Sequence, residues 1–405
     1  MHRSLLFACL LSIWLAGASV LGAADASSPL GDASHSLGLK ILREPLNNAS
    51  TLCFSPFGLV HGLAMASLGA GGETRTEILQ ALNLPTEEPR LLDAVREVSA
   101  TLRRLDGTNS VRLTAASRVF LNAAIRTRPD FVRAVATAFG EMPGFLDLDR
   151  DPEAARRRIN RWANEVSHSK IEELIPSGGI GREDALLLIN AVYFHTQWNA
   201  PFPYGGTAPA PFFLTPTQQV EVPTMRQVQY LPIAKGPGYT TVVLPCVEPS
   251  LRAVIWLPDV GVSVSELAAS MSAERFQQPA GLNRRRVELH LPKFSLESLN
   301  FDPKSALMAC GIRSAWDPGR ADFSRVVAPT RRGPLQLGGF VQRTKLSIDE
   351  VGFEGLSLTE LVVRLTHTFD REEPMEIHVN RPFLMAVQHV PTGTCLFLAK
   401  VMDPR

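Results

Sequence analysis

Charge of one sign in excess is missing from this chain: 41 Lys and Arg stand against 40 Asp and Glu, a net charge of +1 over 405 residues. No global field recruits nucleic acid or a membrane, so a polyanion site would have to be a local patch. Cysteine is scarce. Apart from Cys9 near the start, Cys53, Cys246, Cys310 and Cys395 lie scattered with no short spacing. That excludes a disulfide scaffold, a C-x-x-C pair and a zinc-like cluster, and separate, partly buried thiols are expected. Low-complexity linkers and internal repeats are absent, and beyond the first residues no apolar stretch approaches the roughly 20 residues that cross a bilayer. Catalytic signatures are missing too. There is no G-x-S-x-G elbow, no H-E-x-x-H and no G-x-x-x-x-G-K-S/T, and Gly69-Ala70-Gly71-Gly72 lacks the third glycine of a dinucleotide loop. The nine histidines are dispersed. An enzyme is not expected, and neither a cofactor nor a metal.

What is present is ordinary globular material: 45% hydrophobic and 20% charged residues, with 29 Gly and 30 Pro. That composition excludes disorder, collagen and coiled coil. His2 and Arg3 precede an apolar run, Leu5 to Leu15, which ends in small residues at Ala16-Gly17-Ala18 and again at Gly22-Ala23-Ala24. The pattern reads as a secretory signal peptide over residues 1–24, leaving 25–405 as one domain that is secreted to the extracellular space. As a membrane anchor the run is short for a ~30 Å hydrocarbon layer. Asn48-Ala49-Ser50 is a glycosylation acceptor that this route makes usable.

The first half of the chain reads as helical. Leu59 to Leu68 is apolar, an amphipathic run begins at Glu73-Thr74 and continues through Ile78, Leu79 and Leu82, and Asp151 to Leu174 carries Ile159, Trp162, Val166 and Ile171 at helical spacing. The second half reads as strands, at Thr240–Leu244, Arg252–Leu257, Arg286–Leu291 and Leu384–Val390, several closed by proline. Helices first and strands later, with no break in composition, predict a single α+β domain. Two basic triplets, Arg156-Arg157-Arg158 and Arg284-Arg285-Arg286, have acidic neighbours in sequence. They read as a solvated helix face or loop, with a glycosaminoglycan site as the lesser reading.

Six ordered blocks carry a family resemblance. They are Ser55-Pro56 with Ala64-Met65 and Gly69 to Thr74; Asn190-Ala191-Val192-Tyr193-Phe194 with Trp198 and Phe202; Leu291-Pro292-Lys293-Phe294; Gly311-Ile312 with Ala321-Asp322-Phe323; Asp349-Glu350 before Gly352; and Arg381-Pro382-Phe383-Leu384. In this order, and over essentially all of the chain after the leader, they resemble the serpins, most closely the plasminogen activator inhibitor and protease nexin subgroup. The resemblance implies three β-sheets, eight or nine helices and an exposed reactive loop between Glu350 and the strand containing Arg381. It also implies a monomer whose partner is an extracellular serine protease: the cleaved, still acylated loop enters the large sheet as an extra strand and carries the enzyme with it. Ser55, Asn190 and Gln342 fall at the implied shutter over which that sheet opens. Read from chemistry alone, Ser55 and Asn190 are small hydrogen-bonding groups beside apolar segments, equally consistent with satisfied core polar residues. Gly58 stands where many serpins have a second serine, and Gln342 where many have histidine.

The implied hinge is Glu350, Gly352, Phe353, Glu354 and Gly355. Phe353 replaces the family's threonine, and Leu356 and Leu358 replace alanines. A ring entering a small pocket on the core face would overpack by about 1–3 kcal/mol, slowing insertion and favouring hydrolysis of the loop over trapping. Gly355, Ser357 and Thr359 share the Phe353 face by period two, with Leu356 and Leu358 pointing outward. A trypsin-like pocket needs a long cation. The usual family count from Gly352 reaches Thr366-His367, whereas the count back from Arg381 reaches Arg371 before Glu372. Arg371 is the first candidate for the scissile bond and Arg364 the second. Two functions stay open: a trapping inhibitor, or a non-inhibitory binding or carrier protein whose hinge no longer inserts.

Overall fold

The computed structural model describes residues 27–44, 50–106, 110–297, 301–327, 335–353 and 373–405. The expected leader, Asn48, Glu354, Gly355, Arg364, Arg371 and Glu372 lie outside the described residues. Within them the helices are α1 (Pro29–Arg43), α2 (Pro56–Gly69), α3 (Gly72–Leu82), α4 (Glu88–Leu105), α5 (Pro129–Phe139), α6 (Pro152–Val166), α7 (Val264–Ser270), α8 (Ala273–Gln277) and α9 (Pro303–Ala309). The strands are β1 (Leu52–Phe54), β2 (Val111–Asn122), β3 (Gly144–Leu146), β4 (Leu186–Gln197), β5 (Ala208–Thr215), β6 (Gln218–Gly236), β7 (Tyr239–Pro245), β8 (Leu251–Pro258), β9 (Asn283–Pro292), β10 (Phe294–Glu297), β11 (Gly339–Ile348), β12 (Gly352–Phe353), β13 (Met375–His378), β14 (Phe383–His389) and β15 (Thr394–Val401).

Local chemistry explains most helix starts. Ser28, Ser55 and Asp151 cap α1, α2 and α6 by accepting a backbone N–H in the first turn, and each is followed by a proline whose missing N–H is no loss there. At α7 the Ser263 and Glu266 side chains cap each other's backbone N–H. Asn83 and Gly140 end α3 and α5 in the left-handed conformation.

A six-stranded sheet has the order β10-β11-β12-β4-β2-β3, with β11 also pairing β4 directly. A nine-stranded ladder runs β1-β15-β14-β8-β7-β6-β9-β13, with β5 on β6. The long β6 holds it together, pairing β5 at its start, β9 along its middle and β7 at its end. Two of the three implied sheets are thus continuous in hydrogen bonding. The main core lies between the ladders around α1 and α2, and α2 is buried on every side. A smaller core covers the other face of the six-stranded sheet, where Ile159, Trp162 and Ala163 of α6 meet Leu187, Ile189 and Ala191 of β4.

The four expected strands are present as β7, β8, β9 and β14. The nominally helical half departs from expectation, for it also holds the twelve-residue strands β2 and β4. Both faces of β4 are covered, so Leu186 to Phe194 forms a near-continuous apolar run without the alternation that marks a half-exposed strand. The helical pattern from Asp151 to Leu174 ends at Val166, and Arg284 to Arg286 lie in β9, not on a helix or loop. No helix of the described residues is long and apolar enough to cross a membrane.

Leu63, fully buried in α2, tests the central placement of that helix. Leu63→Ala should lower stability by about 2–5 kcal/mol, read as a shift in the urea midpoint, whereas the exposed Arg96→Ala should stay within about 0.5 kcal/mol.

Candidate functional site

Strands β4 and β11 run parallel and pair directly from Leu187 to Val192 and from Gly339 to Thr344. Past those residues they part. Into the opening comes β12, antiparallel to both neighbours, with Phe353 opposite Ile348 on one side and Thr196 on the other.

A tight turn delivers β12 to this place. The Asp349 N–H donates to the Gly352 carbonyl at 3.0 Å, and the Asp349 carboxylate accepts the N–H groups of Val351 and Gly352 at 2.9 and 3.1 Å. Trp198 holds the turn from the side, its backbone N–H donating to the Val351 carbonyl and its indole N–H to the Asp349 carbonyl, at 2.8 and 2.9 Å. Glycine is required at 352, because a Cβ there would lie 2.2 Å from the Thr196 carbonyl oxygen. The Phe353 ring is fully buried, 4.7 Å from Trp198 and 5.1 Å from Phe194 between ring centroids. The core-face pocket expected to be too small for a ring is therefore aromatic and already filled.

Glu350 anchors the base of the turn. Its side chain is 6% exposed and accepts from the Lys293 ammonium at 2.9 Å and the Thr207 hydroxyl at 2.8 Å. Burial pushes its carboxyl up, but the bonds from Lys293, backbone N–H and Thr207 outweigh this and hold it below the usual carboxylate range. The hydrogen bond to Glu350 raises Lys293 in turn.

Farther along the same strands, Gln342, Asn190 and Ser117 stand side by side on β11, β4 and β2. All three are buried. The Gln342 amide brackets the backbone of Ser55, accepting its N–H at 2.9 Å and donating to its carbonyl at 3.0 Å, and donates also to Asn190 Oδ1 at 2.8 Å. Asn190 Nδ2 donates to Ser117 Oγ at 2.9 Å and the Ala116 carbonyl at 3.2 Å. Ser55 Oγ meanwhile accepts the Gly58 N–H at 3.0 Å. A Cβ at Gly58 would lie 2.1 Å from Asn190 Oδ1, so the two departures from the family pattern fit together: the amide of Gln342 orients Asn190 into space that only glycine leaves free. A parallel link joins the Thr344 hydroxyl to the Cys53 carbonyl at 3.2 Å. The thiols of Cys53, Cys246, Cys310 and Cys395 are unpaired, and burial pushes Cys53 and Cys246 up to about 12, which removes reactive thiolate.

Ser55, Asn190 and Gln342 are thus brought together, as are Glu350, Gly352 and Phe353. The residues that complete each group were not singled out in sequence. Lys293 and Trp198 sit inside quoted blocks without an assigned partner, and Asp349, three before Gly352, carries the turn signal. Nothing local marks Thr207 or Ser117, which arrive through long-range pairing. Among the described residues no group of three or more His, Cys, Asp or Glu could hold a metal.

Residues 32–404 match the family described as Serpin (serine protease inhibitor). The chain is 30% identical to plasminogen activator inhibitor 1 of Sus scrofa, over all of both chains, and 30% identical to Serpin B9 of Homo sapiens, covering 90% of this chain and 96% of that one. Among solved structures, human thyroxine-binding globulin complexed with its hormone superposes with a TM-score of 0.80 at 23% identity, covering 93% of this chain and 98% of that one.

Two outcomes follow from the geometry. Gly58→Ser should destabilise by about 1–3 kcal/mol through crowding of Asn190, and adding Gln342→His should return part of the loss, since imidazole releases Asn190 Oδ1; a double-mutant cycle reads the coupling. Because the folded value of Glu350 lies below its unfolded one, the pair's contribution is full above the ordinary carboxylate range, about pH 4.3, and is lost as pH falls through the lowered value. Glu350→Gln should therefore shrink the drop in thermal midpoint between about pH 6 and pH 3.

Proposed function

The chain belongs to the serpin family, and from that premise we propose that it is a secreted inhibitor of a trypsin-like serine protease that traps its target by inserting the cut reactive loop between β4 and β11. The observation that carries this reading is β12. Its two residues already occupy the position of a new strand, so insertion has its first rungs in place and Phe353 is no obstacle at the entrance.

Continuing the register of β12 sets what each later loop residue would meet. Ser357 would stand between Val192 and Thr344, Thr359 between Asn190 and Gln342, and Leu361 between Leu188 and Phe340, so Thr359 meets polar neighbours, Leu361 apolar ones and Ser357 one of each. On the other face Leu358 would lie beside Ala191, next to the apolar cluster beneath α6. The face expected to be outward is covered at that level, which suits leucine. The ladder ends opposite Leu187 and Gly339, at residue 362, just short of Arg364. Cleavage after Arg371 instead adds seven residues, about 23 Å of extended chain, and that slack relaxes the pull on the enzyme. In mechanistic terms, the protease serine attacks the carbonyl of the arginine, the amine side of the bond leaves, and the acylated enzyme moves with the strand before water can release it.

One register position favours the second reading, a non-inhibitory binding protein. Glu360 would stand beside Ile189 and Val341, on the apolar face under α6, where an unpaired carboxylate is costly. Insertion that stalls there leaves the loop a substrate.

Mixing the protein with trypsin-like proteases should give a band near the summed masses on a denaturing gel, and Glu360→Ala should raise the ratio of trapped to clipped molecules. Clipped protein alone, in both the parent and the variant, would favour the binding-protein reading. Mass spectrometry of the released peptide should show cuts after both arginines, with the trapped fraction coming from Arg364. A start at His367 would reject the trypsin-like target.

A further inference from the structure

The arginines around α6 divide into two sets. Arg156 is neutralised by Glu153 and Glu173, each at 2.8 Å, and Arg157 lies 4.0 Å from Asp151. Arg158 and Arg161, one helical turn apart, point elsewhere. Arg158 Nη1 donates to the Phe145 carbonyl at 2.9 Å, and from the facing strand Arg118 Nε donates to the Met142 carbonyl at 2.9 Å. Neither Arg118, Arg158 nor Arg161 makes an ion pair among the described residues. Backbone carbonyls thus hold two guanidinium groups in place without cancelling their charge.

These three arginines ring a cleft of about 180 Å³ between α6, β2 and β3. Its floor is aromatic: Phe120 and Trp162 meet edge to face at 5.6 Å, and the Arg118 guanidinium lies 5.3 Å from the centre of the Phe120 ring. Gly144 lies against that ring, where a Cβ would come within 2.3 Å of it, and both rings are largely buried, so the cleft meets them at their edges. Glu165 is the one carboxylate in the lining, leaving the rim at +2. A cationic rim over an aromatic floor selects a ligand with both a ring and a negative group. A bare inorganic anion would leave the floor unused. A long polyanion would meet Asp151, Glu153 and Glu173 beside the cleft.

We propose that this cleft binds a small aromatic acid, an aryl carboxylate or aryl sulfate, with its ring against the open edges of Phe120 and Trp162 and its acid group among Arg118, Arg158 and Arg161. Because α6 lies across Leu187, Ile189 and Ala191 of β4, a filled cleft also ties α6 to β2 and β3 and resists the lifting of α6 that an entering strand requires. That consequence rests on the inhibitory reading, whereas the binding itself does not.

Calorimetric titration of the full chain with phenyl sulfate and with 2-naphthoate should give dissociation constants between about 10 μM and 1 mM. Arg158→Gln with Arg161→Gln should weaken both by at least about tenfold, with the fold confirmed by circular dichroism, and Arg157→Gln should leave them unchanged. Inorganic sulfate and 2-naphthalenemethanol should each bind at least about tenfold more weakly than the aryl acids. No binding up to about 10 mM, equal binding of inorganic sulfate, or equal binding by the double variant would overturn the site. In a separate arm, saturating phenyl sulfate should lower the trapped fraction in the parent and not in the double variant; binding without that effect would overturn the coupling and leave the site standing.

Discussion

Two parallel strands that share only part of their length set the terms for the rest of this molecule. β4 and β11 bond to each other over six registered pairs and then separate, and the separation must be filled. The Asp349 turn, the Trp198 indole, the glycine at 352 and the Glu350–Lys293 pair all serve to place two residues there. Extending the same antiparallel strand means breaking six parallel pairings and making a ladder on each side, with each net backbone hydrogen bond contributing about 1 kcal/mol. Under the inhibitory reading, that difference is the source of the work done on a protease.

Under the same reading, the polar row beneath those strands determines how readily they part. Gln342 ties β11 to Ser55 at the start of α2 and to Asn190 on β4, so opening the sheet exchanges the Gln342–Asn190 bond for others. In a buried site every amide group must find a new partner when a strand enters, and in the continued register of β12 Thr359 would bring a hydroxyl to that level. A neutral amide at position 342 does this without a group that titrates near neutral pH, which distinguishes this row from one built on imidazole.

Much of this was legible in sequence, and for identifiable reasons. Apolar and amphipathic runs at helical spacing marked α2, α3 and α6, short β-rich runs closed by proline marked β7, β8 and β9, and the family resemblance pointed to Ser55, Asn190, Gln342 and Glu350. β4 was hidden by burial on both faces, which erased its alternation, and β2 came with it. The fit of Phe353 could not be read from one residue's size, since its pocket is assembled from Phe194 and Trp198 on another strand. Gly58 and Gln342 looked like two independent departures until the Asn190 carboxamide was seen to lie between them.

The central claim is that β12 begins a strand position between β4 and β11 that the cut loop completes. Thermal unfolding of the intact chain and of the chain cut once between residues 362 and 372, followed under identical conditions, tests it most directly. The account predicts a markedly higher midpoint after the cut, because the inserted strand adds a ladder on both sides. An unchanged or lower midpoint after a verified cut would contradict it.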